Sequence, residues 1–260
     1  MHARWLVTPY FFDEHDSALA GAVPAGVRYR ENVPGNVPDR SATSLARTHE
    51  PIAKFVREAV SRNHLPVSIA GDCAASLPVM AGLQKAGLDP VLVWLDAHGD
   101  FNTAQTSPSG FLGGMPLAMM VGRGDLSIPR ISGQVPVRED RVWLIGARDL
   151  DPAEEKALAA SRVNRADLVG LSDLVFDAPV YLHIDNDIVD ASEVPANNYP
   201  VPHGPGLAAT IRSCVAFAVN NRLCAISLSG WNGRLDGDGR TRRACARLLS
   251  AIVNAPAVRD

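Results

Sequence analysis

The sequence predicts an α/β fold on a mostly parallel sheet, and three observations carry that prediction. Short runs rich in Val, Ile and Leu alternate with longer amphipathic stretches, the pattern of βα units feeding a sheet buried on both faces. Two of these runs end in clusters of acidic residues followed by loops rich in Gly, Pro, Ser and Asn, where open α/β sheets place their ligands. Finally, the 260 residues are 47% hydrophobic and 20% charged, which removes disordered, collagen-like and coiled-coil classes. With no internal repeat or linker-like tract, a single domain over residues 1–260 is expected.

Taken in order, strands are expected at residues 5–7, 67–70, 91–95, 142–145, 180–184 and 224–228. Helices are expected at 44–62, 74–86, 115–121, 152–160, 207–220 and 241–253. Asp151-Pro152 before a Glu-rich turn reads as an N-cap with proline in the first turn. Segments 20–40, 102–114 and 192–206 break the pattern and read as loops. A net charge of −3 with dispersed Lys and Arg leaves no electrostatic footprint for nucleic acid or an anionic membrane. No apolar run is long enough to span a membrane, and the opening residues lack a signal-peptide pattern, so a cytoplasmic protein with a small-molecule partner is expected. The four cysteines, Cys73, Cys214, Cys224 and Cys245, are too few and too unevenly spaced for a disulfide framework. Three read as small buried hydrophobes.

The chemistry concentrates at two strand ends. The run 91–95 passes directly into Asp96-Ala97-His98-Gly99-Asp100-Phe101-Asn102, with Asp, His and Asp at alternate positions that would share one side if strand geometry continued. The run at 180 carries His183, Asp185 and Asp187 at the same parity and reaches Asp190. Packing four carboxylates together requires cations to neutralise them. A dinuclear divalent site is the economical solution, since carboxylate and imidazole suit manganese, iron, cobalt, nickel or zinc.

These residues resemble the arginase and agmatinase (ureohydrolase) family in order and spacing. The likeness rests on the Asp96 to Asn102 segment, Ser107-Pro108-Ser109-Gly110, Gly113-Gly114-Met115-Pro116-Leu117 and Asp185-x-Asp187-x-x-Asp190. It extends to Ala70-Gly71-Asp72 and to Trp231-Asn232 with Leu235-Asp236-x-Asp238-Gly239-x-Thr241. The resemblance implies a three-layer αβα architecture with about eight strands, a trimer or hexamer as the common assembly with a monomer left open, and two metal ions sharing a bridging hydroxide that attacks the C–N carbon of a linear amidine or guanidine. Manganese is the first choice, with Zn, Fe, Co or Ni admitted by a cysteine ligand. Carried over by position, Cys73, Asp96, Asp100 and Asp185 would hold one ion, and Asp96, His98, Asp185 and Asp187 the other. Asp100 would also manage the proton of the nucleophile. Asn102, Ser107 and Ser109 match positions that contact the substrate's amino-acid head group, although turn residues satisfying their own backbone fit equally.

Three departures stand out against that pattern. Cys73 replaces the usual first-metal histidine, as in a subgroup acting on N-hydroxyarginine that this chain resembles; the alternative is an inert buried thiol. Gly113 stands where arginases carry a proton-shuttling histidine, and Phe111 where they carry asparagine. His183 is a candidate catalytic replacement, against the plainer reading of a packed strand histidine. Gly230 falls where guanidino hydrolases place a glutamate that binds the guanidinium, so a neutral or weakly basic group such as an N-hydroxyguanidine is the expected target. A degenerate member that binds metal or metabolite without catalysis, and a deacetylase-like amidohydrolase, are the competing expectations.

Overall fold

A computed structural model describes residues 2–35 and 38–256. The chain opens with β1 (His2–Thr8), a two-stranded hairpin of β2 (Tyr10–Phe11) and β3 (Glu14–His15), and the short β4 (Tyr29–Glu31). Helix α1 (Ala42–Ser61) leads to β5 (His64–Ala70), α2 (Ser76–Lys85) and β6 (Val91–Leu95). Two short helices, α3 (Pro116–Met120) and α4 (Ser127–Ser132), precede β7 (Val142–Ile145) and α5 (Pro152–Ala159). The remainder is β8 (Asn164–Ala166), α6 (Leu168–Leu171), β9 (Val180–Asp185), α7 (Leu207–Asn220), β10 (Leu223–Ser229) and α8 (Arg240–Val253).

Eight strands form one sheet in the order β4-β1-β5-β10-β9-β6-β7-β8, every pairing parallel. Both faces are covered. Val91, Val93 and Leu95 of β6 pack into one apolar cluster with Phe217 of α7 and Leu248 of α8. Leu92 and Trp94, of opposite parity, pack into the other with Ile52 of α1 and Leu77 of α2. Burial on both sides is why the strand reads as an unbroken apolar run. The three-layer, eight-stranded expectation holds.

Two edge strands fall outside the expected set. β4 lies inside the segment read as a loop, and β8 between the expected helix at 152–160 and the expected strand at 180–184. Tyr29-Arg30-Glu31 is exposed throughout, and Asn164-Arg165-Ala166 is only partly covered. Their edge positions make no apolar demand on the sequence, so no hydrophobic run marks them.

Candidate metal and substrate site

The site lies at the carboxyl ends of the central strands β5, β6, β9 and β10. Strand geometry does not continue past β6, as alternation suggests it would; the chain bends at Ala97 and His98, and Asp100 takes a left-handed conformation with φ of 47°. The turn, rather than the pleat, brings Asp96, His98 and Asp100 together. Glu154 of α5 holds it, accepting from the Phe101 N–H at 2.8 Å and the Asp151 N–H at 3.3 Å. Gly99 is required there, because a Cβ would lie 2.7 Å from the Glu154 carboxylate. Glu154 was read only as part of a helix start; its capping position three residues after Asp151 was the available signal.

Asp96, Asp100, Asp185 and Asp187 are 1%, 5%, 6% and 3% exposed. Asp96 accepts from the Trp94 indole N–H at 2.9 Å and the His98 N–H at 2.7 Å. Asp187 accepts from the Ala97 N–H at 3.0 Å, tying the ends of β6 and β9 together, and lies 2.9 Å from His98 Nδ1. Asp185 accepts from the Asp187 N–H at 2.9 Å and from Asn197 Nδ2 at 3.3 Å, while the Cys73 thiol donates to its Oδ2 at 3.1 Å. Cys73 Sγ also sits 2.9 Å from Ser229 Oγ.

The donors that converge most tightly are Cys73, Asp96 and Asp100 in one group and Asp96, His98 and Asp187 in another, each within 4.8 Å and sharing Asp96. Asp185 joins neither compact group and reaches the first through its contact with Cys73. Asp100 Oδ2 is buried without a hydrogen-bond partner, an arrangement that costs free energy unless a cation or proton satisfies it. A thiol, an imidazole and carboxylates form a donor set suited to divalent transition metals, so the residues fit the metal sites expected of them.

Burial and mutual repulsion govern the electrostatics. Burial, followed by neighbouring carboxylates, pushes Asp100 far above the usual range, and Asp96 and Asp187 are also raised chiefly by burial. Asp185 is raised to about 7 by burial and the charge of Asp187. Burial also drives the Cys73 thiol well up, reinforced by Asp185, Asp100 and Asp96. Burial opposes the charged form of His98, yet hydrogen bonds and charges from Asp187 and Asp96 carry it to about 12. A pH prediction follows for protein stripped of metal with chelator. His98, raised, adds stability present below pH 6.5 and lost progressively above it, and Asp185 loses stability in the same direction until about pH 7. His183 and His49, both lowered by burial, act oppositely only below pH 6.5. Stability should therefore fall between pH 7 and pH 9 in urea unfolding, and divalent metal should restore more at pH 9. Flat or rising stability over that range would refute the assignment of His98 as an imidazolium held by two carboxylates.

The site opens into a cleft of about 200 Å³ lined by Cys73, Asp96, His98, Asp100, Asp185 and Asp187, and by Asn102, Ser107 and Ser109. His183 is absent from the lining. It is 1% exposed, stacks on Trp94 with centroids 3.8 Å apart, places Nδ1 2.7 Å from Ser227 Oγ, and is lowered to about 3 by burial. It lies beneath the floor, with Nε2 3.5 Å from Ser229 Oγ, which does not fit direct proton transfer to a substrate. Parity correctly gave its face, but its position deeper in β9 withdraws it from the cleft. Asn197, Asn198 and Tyr199 also line the cleft. At Gly230, φ is 84° and a Cβ would lie 2.1 Å from Asp185 Oδ1. At Gly113 a Cβ would lie 2.3 Å from Phe111 Cε1. Neither departure leaves room for the side chain it replaces in the present geometry.

A parallel sheet with carboxylates, imidazole and thiol converging at its strand ends defines the class of metal-dependent α/β hydrolases. Residues 21–254 match the arginase family profile. The arginase of Bacillus caldovelox is 32% identical over 73% of this chain and 69% of that protein. The N(omega)-hydroxy-L-arginine amidinohydrolase of Streptomyces lavendulae is 32% identical over 78% of this chain and 74% of that protein. The crystal structure of arginase from Bacillus subtilis matches the fold with a TM-score of 0.83 at 23% identity, over 98% of this chain and 99% of that one. The chain belongs to the arginase family and is a hydrolase of guanidino or amidine compounds. Among the described residues, no helix is long and apolar enough to cross a membrane.

Proposed function

We propose that this protein hydrolyses the C–N bond of a small linear amidine or guanidine carrying a weakly basic group, with an N-hydroxyguanidino group as the finer reading. The observation that carries it is the pair of donor groups sharing Asp96, one of which includes Asp100 with its Oδ2 buried and unpartnered, at the lining of the cleft. Cys73, Asp96, Asp100 and Asp185 would hold one divalent ion, and Asp96, His98, Asp185 and Asp187 the other. Manganese fits the carboxylates, and the thiol widens the choice to zinc, iron, cobalt or nickel. When bound, such an ion pair lowers the pKa of water and polarises the substrate.

The chain's own residues supply the rest. Asp100 Oδ2 is an acceptor whose proton affinity is raised by burial and by Asp96. With the ion held, the second carboxylate oxygen of Asp100 would accept the proton of the attacking water and pass it to the departing amine. Trp94, donating to Asp96 Oδ2, fixes that carboxylate's orientation. His183, behind Ser229 and Cys73, acts as a positioning residue. Asn102, Ser107 and Ser109, which line the cleft, would meet the substrate's tail. The loss of a carboxylate at Gly230 removes the paired anion for a fully charged guanidinium, which favours the N-hydroxylated group.

The test is metal-dependent release of urea, hydroxyurea or ammonia from guanidines and N-hydroxyguanidines by purified protein. Elemental mass spectrometry on manganese-dialysed protein should give about two equivalents per chain, falling to about one in Cys73→Ala. Two equivalents retained by the variant would remove Cys73 from the ligand set. No product above a metal-free blank from any compound would bring forward a binding role without catalysis.

A further inference from the structure

Facing the carboxylates, four aromatic rings from three separate segments form a continuous wall. Phe11 and Phe12 come from the β2–β3 hairpin, Phe111 from the loop after β6, and Tyr199 from the loop after β9. Ring centroids are 4.9 Å apart for Phe11–Phe12, 5.4 Å for Phe12–Phe111 and 5.1 Å for Phe111–Tyr199. Phe12 is 3% exposed and Tyr199 52%, so the wall runs from the protein interior to the mouth of the cleft. Two glycines admit it. A Cβ on Gly71 would meet Tyr10 O at 2.5 Å and Phe11 Cβ at 2.9 Å, and the Phe111 ring fills the space a side chain at Gly113 would need.

The rest of the cleft is unsuited to a substrate carboxylate. Asp149 and Asp151 line it, and among the described residues no Lys or Arg does. Asn102 donates to Asp151 Oδ2 at 2.9 Å and accepts from Thr106 Oγ1 at 3.0 Å. Ser107 and Ser109 accept from the N–H groups of Gly110 and Phe111. The Asn102 side chain is therefore engaged on both its amide and its carbonyl, and the Ser107 and Ser109 hydroxyls, 3.4 Å apart, keep at most one O–H free, so an incoming carboxylate meets few donors beside acidic groups and aromatic faces.

We infer that the substrate carries an uncharged, apolar or aryl tail rather than an α-amino acid, with Phe111 and Tyr199 determining that specificity. This rests on the reaction class proposed above, and it concerns the opposite end of the substrate from the group being cleaved. A flat apolar group adds to the ring series by offset or edge-to-face contact, whereas the carboxylate of an amino acid would surrender its hydration with no cation among the described lining residues to pair with it.

The experiment is calorimetric titration of the manganese-loaded protein with benzylguanidine and with L-arginine, beside turnover of their N-hydroxy derivatives. Benzylguanidine should bind about tenfold tighter than L-arginine, and Phe111→Ala should weaken it about tenfold while changing L-arginine by less than about twofold. Phe111→Leu, which keeps apolar bulk, should fall between. L-Arginine binding as tightly, equal losses for both ligands, or no binding of benzylguanidine would overturn the inference. The two readings fail separately: Phe111-dependent binding without product from either compound keeps the tail assignment and removes the reaction class. Faster cleavage of N-hydroxy-L-arginine does the reverse.

Discussion

Replacing Asp185 with asparagine is expected to lower kcat/KM by about a thousandfold, roughly 4 kcal/mol of transition-state stabilisation, while making the metal-stripped protein more stable. The opposite signs follow from one cause. Asp185 is 6% exposed and its carboxyl is raised to about 7, so at pH 8 the folded protein carries the full cost of a buried anion. Asparagine keeps an oxygen to accept from the Asp187 N–H and Asn197 Nδ2. It cannot supply the charge that would hold a cation. Steady-state turnover, metal content and urea unfolding in chelator at pH 8 read the two effects separately. A variant with full turnover and unchanged metal content would exclude Asp185 from the centre.

Restoring the family's glutamate by Gly230→Glu is expected to lose stability and metal binding without producing arginase activity. A residue with a side chain at φ of 84° carries about 1–2 kcal/mol of backbone strain however its neighbours move. Its Cβ would also sit 2.1 Å from Asp185 Oδ1, so the metal-binding carboxylate must be displaced and a further negative charge set beside it. A combined loss of about 3 kcal/mol or more is expected, read by chemical denaturation and elemental analysis. Wild-type stability with urea release from L-arginine would show that Gly230 alone separates this chain from an arginase.

The central strands were legible because burial on both faces demands continuous Val, Ile and Leu. β4 and β8 were not, because edge strands half open to water make no such demand. That Asp96, His98, Asp100 and Asp187 meet was legible from two acidic strand ends in a parallel sheet, while Asp185 lines the same cleft outside either compact group, and the family followed from their spacing. The mechanism of convergence was misjudged. A positive φ at Asp100, held by Glu154 from a helix some fifty residues away, performs what alternation was expected to do.

By itself, the sequence determined the central strands, the family and the candidate donor residues, because hydrophobic period and residue type are local properties. Tertiary structure alone decided that His183 lies beneath the floor, that Gly230 cannot accept a carboxylate beside Asp185, and that Phe11, Phe12, Phe111 and Tyr199 form one wall. Each depends on the distance between segments remote in the chain, which packing sets and no local pattern records.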